Sequence, residues 1–289
     1  SSNTAYSKVK CRVTDATDSP SVIGCSTDSF SIRPTALTIS SNLTNTGSTG
    51  TPKAKAGEDF TLTATASSGY NGTPVINSSN IQAHSGAVQT GSISGSFSTV
   101  NAATGVASGT AFTYSEVGSL RFTAQGVYDS NFTAVDQSSD CTDDFSNAVV
   151  SGKVGCKFGN TSTTAYFGRF TPDHLDVSLN TPAFTPGCSS YTYIGQPVKY
   201  TTLPIATVTA KNASDATTQN YTASFWKINP TDATYGFTPS YSVANHSLTV
   251  LESSAPTVSD GGNGSGTLTF ADTSSNMLAI TKSALTSPF

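Results

Sequence analysis

The chain has 289 residues and a mass of 29.6 kDa, with 14 Lys plus Arg against 18 Asp plus Glu and a formal net charge of −4. Charged residues make up 11% of it, against roughly 25% in an ordinary soluble domain, and Ser plus Thr come to about 90, a composition foreign to a typical cytoplasmic enzyme. No basic stripe is present to release counterions from a nucleic-acid backbone, and the longest apolar run, Met277 to Ile280, is far short of the roughly 20 residues that cross a bilayer, which argues against nucleic-acid binding and against a membrane-spanning segment.

In chain order, residues 1–33 read as the end of a preceding module, with Cys11 and Cys25 flanking a short polar loop. Turn-rich segments then punctuate runs with the period of a strand: Ser41 to Pro52 is followed by Phe60, Leu62, Ala64 and Ala66 alternating with Thr61, Thr63 and Thr65. The same alternation recurs at Leu120, Phe122, Ala124; at Leu175, Val177, Leu179; at Ala206, Val208, Ala210; at Tyr221, Ala223, Phe225; and at Leu268, Phe270. Ser67 to Pro74 and Asp260 to Gly266 carry the Gly, Asn, Ser and Pro content of turns. No helical stripe of comparable length appears, and the abundant β-branched Thr suits a pleated, half-wet surface. The expected class is all-β, as tandem immunoglobulin-like sandwich domains.

A weak internal repeat supports the tandem reading. Arg33-Pro34 with Leu37 to Asn42 lines up with Arg169-Phe170 and Leu175 to Asn180. Gly57-Glu58-Asp59-Phe60 lines up with Gly195-Gln196-Pro197-Val198, and Ser108-Gly109-Thr110 with Ser265-Gly266-Thr267. The expected boundaries are a first sandwich at 34–150, a junction at 151–167, and a second sandwich at 168–289 that continues beyond the chain. The opening at Ser1 and a sole methionine at Met277 suggest a processed product or a piece of a longer polypeptide.

Five cysteines leave one over. Spacing favours two local bonds, Cys11 to Cys25 and Cys141 to Cys156, each contributing about 3 kcal/mol in an oxidising compartment, with Cys188 unassigned; other pairings stay open. Catalytic, cofactor and metal roles find little footing. The glutamates Glu58, Glu116 and Glu252 are few, and Asp173-His174 beside Asp176 reads as the start of a strand after Pro172. No metal-ligating spacing joins His84, His174 and His246, while Asp140, Asp143, Asp144 and Asp15, Asp18, Asp28 offer hard oxygens without the spacing of a known calcium loop. Trp226 with Phe225 and Tyr221 admits a sugar-stacking platform, although alternation places Tyr221 and Phe225 toward a core and Trp226 opposite.

The stretch Gly168-Arg169-Phe170-Thr171-Pro172-Asp173-His174-Leu175-Asp176-Val177, then Tyr191 to Pro197 and Asn220 to Lys227, resembles the C-terminal region of MshQ-like proteins, bacterial proteins named for the mannose-sensitive haemagglutinin pilus locus. Phe30 to Pro34 and Ala56 to Thr63 resemble the preceding part of that region. The resemblance implies a large secreted or surface-exposed β protein associated with type IV pili, often with a lectin-like domain upstream, and carries no established catalytic residues.

The expected function is therefore that of a non-enzymatic extracellular stalk or adhesin-like module at the cell surface. Its partners would be other domains of the same polypeptide, pilus components or surface glycans. One alternative is a filament subunit assembled by strand addition, with Ser1 to Arg12 as donor. Another is a carbohydrate-binding accessory of a polysaccharide-active enzyme. No cofactor is expected.

Overall fold

The computed structural model describes residues 3–132, 140–185, 196–229, 246–250, 256–270 and 278–282, with the backbone alone for 246–250 and 278–282. Among the described residues the chain is all-β; Ser78–Asn80 and Ala223–Phe225 are short 3-10 turns. It divides into two compact units, Ser1–Asp173 with Asn212–Ser214, and His174–Lys211 with Asp215–Phe289.

The first unit opens with an arm. Strand β1 (Tyr6–Val9) pairs antiparallel with β4 (Phe30–Ile32), and between them β2 (Arg12–Asp15) and β3 (Val22–Cys25) form a hairpin exposed along its whole length. Ala5 is buried in the core of the unit, and its N–H donates to Ser68 O at 2.7 Å. Gly69 makes that approach possible: its φ is +84°, and a Cβ there would lie 2.1 Å from Ala5 O. Residues 1–33, expected as the end of another module, thus count with this unit.

Its body is built from β5 (Thr38–Ser41), β6 (Ala54–Lys55), β7 (Phe60–Thr65), β8 (Val75–Ile76), β9 (Ile81–Ala83), β10 (Ile93–Ser94), β11 (Val106–Tyr114), β12 (Gly118–Phe122), β13 (Val127–Asp129), β14 (Phe158–Gly159) and β15 (Phe167–Thr171). One four-stranded antiparallel sheet runs β10-β11-β7-β5. A second runs β6-β15-β12-β9, with β6 parallel to β15, and a three-stranded sheet runs β14-β13-β8. The alternation in β7 buries Phe60, Leu62 and Ala64 and leaves the threonines on the wetter side. These residues join Phe112 and Tyr114 from β11 and Leu120, Phe122, Phe167 and Phe170 from the second sheet in one core. Phe60 meets Phe170 edge-on at 5.1 Å and Phe97 meets Phe112 at 4.9 Å, the geometry aromatic quadrupoles favour. Because Phe158, Phe167 and Phe170 are buried in this core, the expected boundary moves: β14 and β15 belong to the first unit rather than to a junction or the second domain.

Two core tyrosines are held protonated. The Tyr70 hydroxyl donates to Asp129, whose carboxylate also accepts the Asn131 and Phe132 N–H groups at 2.7 and 3.1 Å; burial, then that hydrogen bond, raises the Tyr70 pKa far above its usual range. Burial pushes Tyr114 up to about 12. A group whose folded pKa is raised contributes stability that is complete below its unfolded value of about 10 and is lost as pH climbs through the folded value. Phenolate absorbance of the folded chain at about pH 11 is expected to lack nearly all of the contribution of these two tyrosines, which returns when the unit is unfolded at the same pH.

The second unit contains β16 (His174–Leu179), β17 (Ala183–Phe184), β18 (Tyr200–Thr202), β19 (Ile205–Lys211), β20 (His246–Val250), β21 (Thr257–Asp260), β22 (Ser265–Thr269) and β23 (Leu278–Lys282). A four-stranded antiparallel sheet runs β16-β19-β22-β21, while β17 pairs with β18 and β20 with β23. Among the described residues Ala206, Val208 and Leu268 form one buried cluster, flanked by Ile228, Val258 and Phe270, and Val198 and Tyr200 form another with Leu203. The alternation expected for β16 is present, but Leu175, Val177 and Leu179 are 42%, 61% and 74% exposed.

The repeat is real at the level of strand order: β5, β7, β11 and β10 correspond to β16, β19, β22 and β21. Ser108 lies opposite Thr63 with their hydroxyls 3.1 Å apart, and Ser265 lies opposite Thr209 with theirs 2.8 Å apart. The register also corrects the sequence alignment. The counterpart of β7 is β19, so Phe60, Leu62 and Ala64 match Ala206, Val208 and Ala210, whereas the aligned Pro197-Val198 precedes β18.

Candidate functional site

Of the expected disulfides, Cys141 to Cys156 is formed, with Cα atoms 5.2 Å apart. Thr142 N donates to Val154 O at 3.0 Å and Cys156 N to Thr142 O at 2.7 Å, so backbone bonds close the same loop, and Lys157 Nζ sits 2.8 Å from Asp143. Arg33 fastens the arm to it, with Nε donating to Gly155 O at 2.5 Å and Nη2 to Ser146 O at 2.7 Å.

Cys11 and Cys25 are not bonded to each other; both are exposed free thiols. The register explains the correction. Cys25 lies opposite Arg12, while Cys11 O accepts from Ser26 N at 2.8 Å and Cys11 N donates to Ser26 Oγ at 3.0 Å. The two cysteines are thus one step out of register, and successive side chains point to opposite faces of a ribbon. Cys188 lies outside the described residues.

Three of the aspartates singled out above, Asp15, Asp28 and Asp144, are engaged in turns. Asp15 Oδ1 accepts Thr17 N and Oγ1 at 2.9 and 2.6 Å, Asp28 accepts Ser29 N at 2.9 Å, and Asp144 accepts Ser146 N at 2.8 Å. Among the described residues no group of three His, Cys, Asp or Glu could hold a metal ion. Asp173 pairs with Lys55 at 3.1 Å, and His174 Nε2 lies 3.2 Å from Asp215 and 3.8 Å from Asp176 at an exposed strand start. Glu58 accepts Lys55 N at 2.7 Å in a turn; Glu252 lies outside the described residues.

The aromatic trio is not a strand. Ala223–Phe225 is a 3-10 turn, fixed because Asp260 Oδ2 accepts Thr222 Oγ1 at 2.8 Å and Ala223 N at 2.7 Å. The turn brings Trp226 to 5.2 Å from the buried Tyr221 ring instead of opposite it. A Cβ on Gly266 would lie 2.4 Å from the Trp226 ring, which therefore rests on that backbone.

A polar concavity lies elsewhere, an open groove of about 490 Å³ on the first unit, lined by residues of β9, β12, the loop after β9 and Tyr166. Leu120 and Phe122 face the core, so Arg121 between them faces outward, opposite Gln82. Arg121 Nε donates to Gln82 Oε1 at 3.0 Å, and its guanidinium carbon sits 4.6 Å from the Tyr166 ring centroid. His84 N donates to Ser119 O at 2.9 Å, and Ser119 N points to His84 Nδ1 at 3.5 Å. Burial holds the His84 pKa below its usual value, leaving a neutral imidazole. The imidazole fits only because position 118 is glycine: φ is +98°, and a Cβ would lie 2.2 Å from His84 Nδ1. The wall is pinned from below, where the buried Glu116 carboxylate accepts from the Gln89 amide and Tyr114 Oη accepts from Gly91 N at 3.1 Å.

The family model for DUF6701, third domain, matches residues 116–289, more than half of the chain, so the chain belongs to this family. The match begins at the loop between β11 and β12, takes in Arg121 and Tyr166 of the groove, and runs through the second unit. No curated protein and no solved structure matches the chain.

Proposed function

We propose that the chain is a non-enzymatic stalk or adhesin-like module of a secreted or surface-attached bacterial protein, of the pilus-associated MshQ-like kind. The observation that carries this reading is the recurrence of one four-stranded sheet, with the same strand order and the same Ser/Thr pair, in two successive units. A sequence that repeats a fold to extend a chain needs no catalytic centre in either copy. The Cys141 to Cys156 bond fits an oxidising compartment, and no helix among the described residues is long and apolar enough to cross a membrane. In the lettering of immunoglobulin sandwiches the order β5-β7-β11-β10 reads A-B-E-D and β9-β12-β15 reads C-F-G, which supports the immunoglobulin-like expectation.

One observation favours the filament alternative. Strand β16 has one described neighbour, β19, and presents Leu175, Val177 and Leu179 to solvent, the profile of an edge that accepts an added strand. The donor would not be Ser1 to Arg12, since Tyr6–Val9 is already paired with β4. Size-exclusion chromatography with light scattering on the oxidised chain separates the readings: the stalk module elutes as a monomer over a wide concentration range. Ordered assemblies that dissolve on Val177→Lys would put the filament first.

A further inference from the structure

We infer that the groove between Gln82, His84, Arg121 and Tyr166 is a binding site for an acidic saccharide, recognised through a ring carboxylate. This deepens the stalk or adhesin-like reading, which names surface glycans among the partners but gives them neither a site nor a chemical class. Arg121 carries the argument. Its Nε is spent on Gln82 and its guanidinium carbon lies over the Tyr166 ring, so the side chain is oriented while Nη1 and Nη2 have no protein partner among the described residues. A guanidinium fixed at its Nε and stacked on one face presents a two-donor edge to a carboxylate, whereas a lysine would offer a point charge.

The rest of the lining fits a hydroxylated ligand better than an apolar one. Gln82 supplies an amide donor, Gln89 lies along the wall, and the neutral His84 imidazole is seated by the missing side chain of Gly118. Apolar lining is confined to the small Ala83, Ala87 and Val88. At about 490 Å³ the groove falls within the roughly 300–1,000 Å³ range of small-ligand sites. Because Tyr166 is covered by Arg121, its role is to aim the cation, not to stack on a sugar ring. Selectivity should therefore follow the carboxylate and not the sugar skeleton. The net charge of −4 and the lack of a basic stripe around Arg121 argue against a polyanionic backbone as the ligand.

The test is titration of the full oxidised chain with oligogalacturonate, its methyl ester and sialyllactose, followed by amide chemical shifts and calorimetry. The free acid or sialyllactose is expected to shift resonances of Gln82, His84, Arg121 and Tyr166, and the ester to bind roughly tenfold or more weakly. Arg121→Gln should lower affinity for the acid by a similar factor, Arg121→Lys should restore only part of it, and Lys153→Gln, which does not line the groove, should leave it unchanged. Equal affinity for acid and ester, unchanged binding by Arg121→Gln, or no shift with either acid overturns the assignment. The ester comparison uses the unaltered protein and so decides even if the Arg121 variants fold poorly. A monomeric chain that binds none of these sugars would leave the stalk reading standing.

Discussion

Phe170→Ala is expected to destabilise the first unit by about 3–5 kcal/mol, the largest effect of any single substitution considered. The side chain is fully buried and stands where the two four-stranded sheets meet, 5.1 Å from the Phe60 ring and 5.2 Å from Tyr114. Its backbone is simultaneously paired with Gly118 on β12 and Ala54 on β6, so the neighbours cannot close over the lost ring without breaking a ladder. The transfer loss and the cavity therefore both count. Urea denaturation read by near-ultraviolet circular dichroism should show a lower midpoint with an unchanged slope. Val177→Ala is the matched control: it removes an apolar side chain that is 61% exposed, and should change stability by no more than about 0.5 kcal/mol. Equal effects of the two substitutions would mean that the core is not where these contacts place it.

Opening the Cys141 to Cys156 bond, with both residues replaced by serine, is expected to cost about 3 kcal/mol through the entropy returned to the unfolded chain. The consequence reaches beyond the loop. Gly155 O and Ser146 O, two of the three carbonyls that satisfy Arg33, lie inside the closed ring, so a loosened loop also loosens the arm that Arg33 fastens. Amide exchange in β1 and β4 should accelerate in the double variant. Serine at Cys11 and Cys25 should do neither, because these thiols are exposed and one register step apart. A loss of stability from the Cys11 and Cys25 replacements comparable to that from the first pair would contradict the register described for the β2–β3 hairpin.

The legible part of the fold is the part governed by period-two alternation over a buried surface. Phe60, Leu62 and Ala64, and later Ala206, Val208 and Ala210, announced their strands because every second side chain had to leave water. The Ser108 and Ser265 motifs announced the repeat for a related reason: each glycine after the serine sits opposite a core residue, Leu62 or Val208, in the adjacent strand. Alternation fails where a side chain caps a turn. Asp260 reaches across 37 residues to the Ala223 N–H, a partner that no local pattern around Tyr221 could disclose. It also fails to fix boundaries, since Phe167 and Phe170 look alike whichever unit buries them.

The groove was hidden for a similar reason. Gln82, Arg121 and Tyr166 come from three separate segments, and their meeting depends on the pairing of β9 with β12. One signal was available: an arginine between Leu120 and Phe122 must face away from the core that buries them. The repeat itself shows the limit of analogy, because Arg33 and Arg169 occupy matched positions in the sequence. Arg33 spends its guanidinium on three carbonyls, while Arg169 is buried with Nε and Nη1 unpartnered.

The central claim, that two like β units joined in tandem act as a spacer, is tested most directly by pulling single oxidised chains from their ends. The account predicts two separate unfolding events per chain. After reduction, the extension released by the first unit should grow by about 45–50 Å, the length of chain freed when the 15-residue separation between Cys141 and Cys156 is no longer bridged. One merged event, or a release unchanged by reduction, would contradict it.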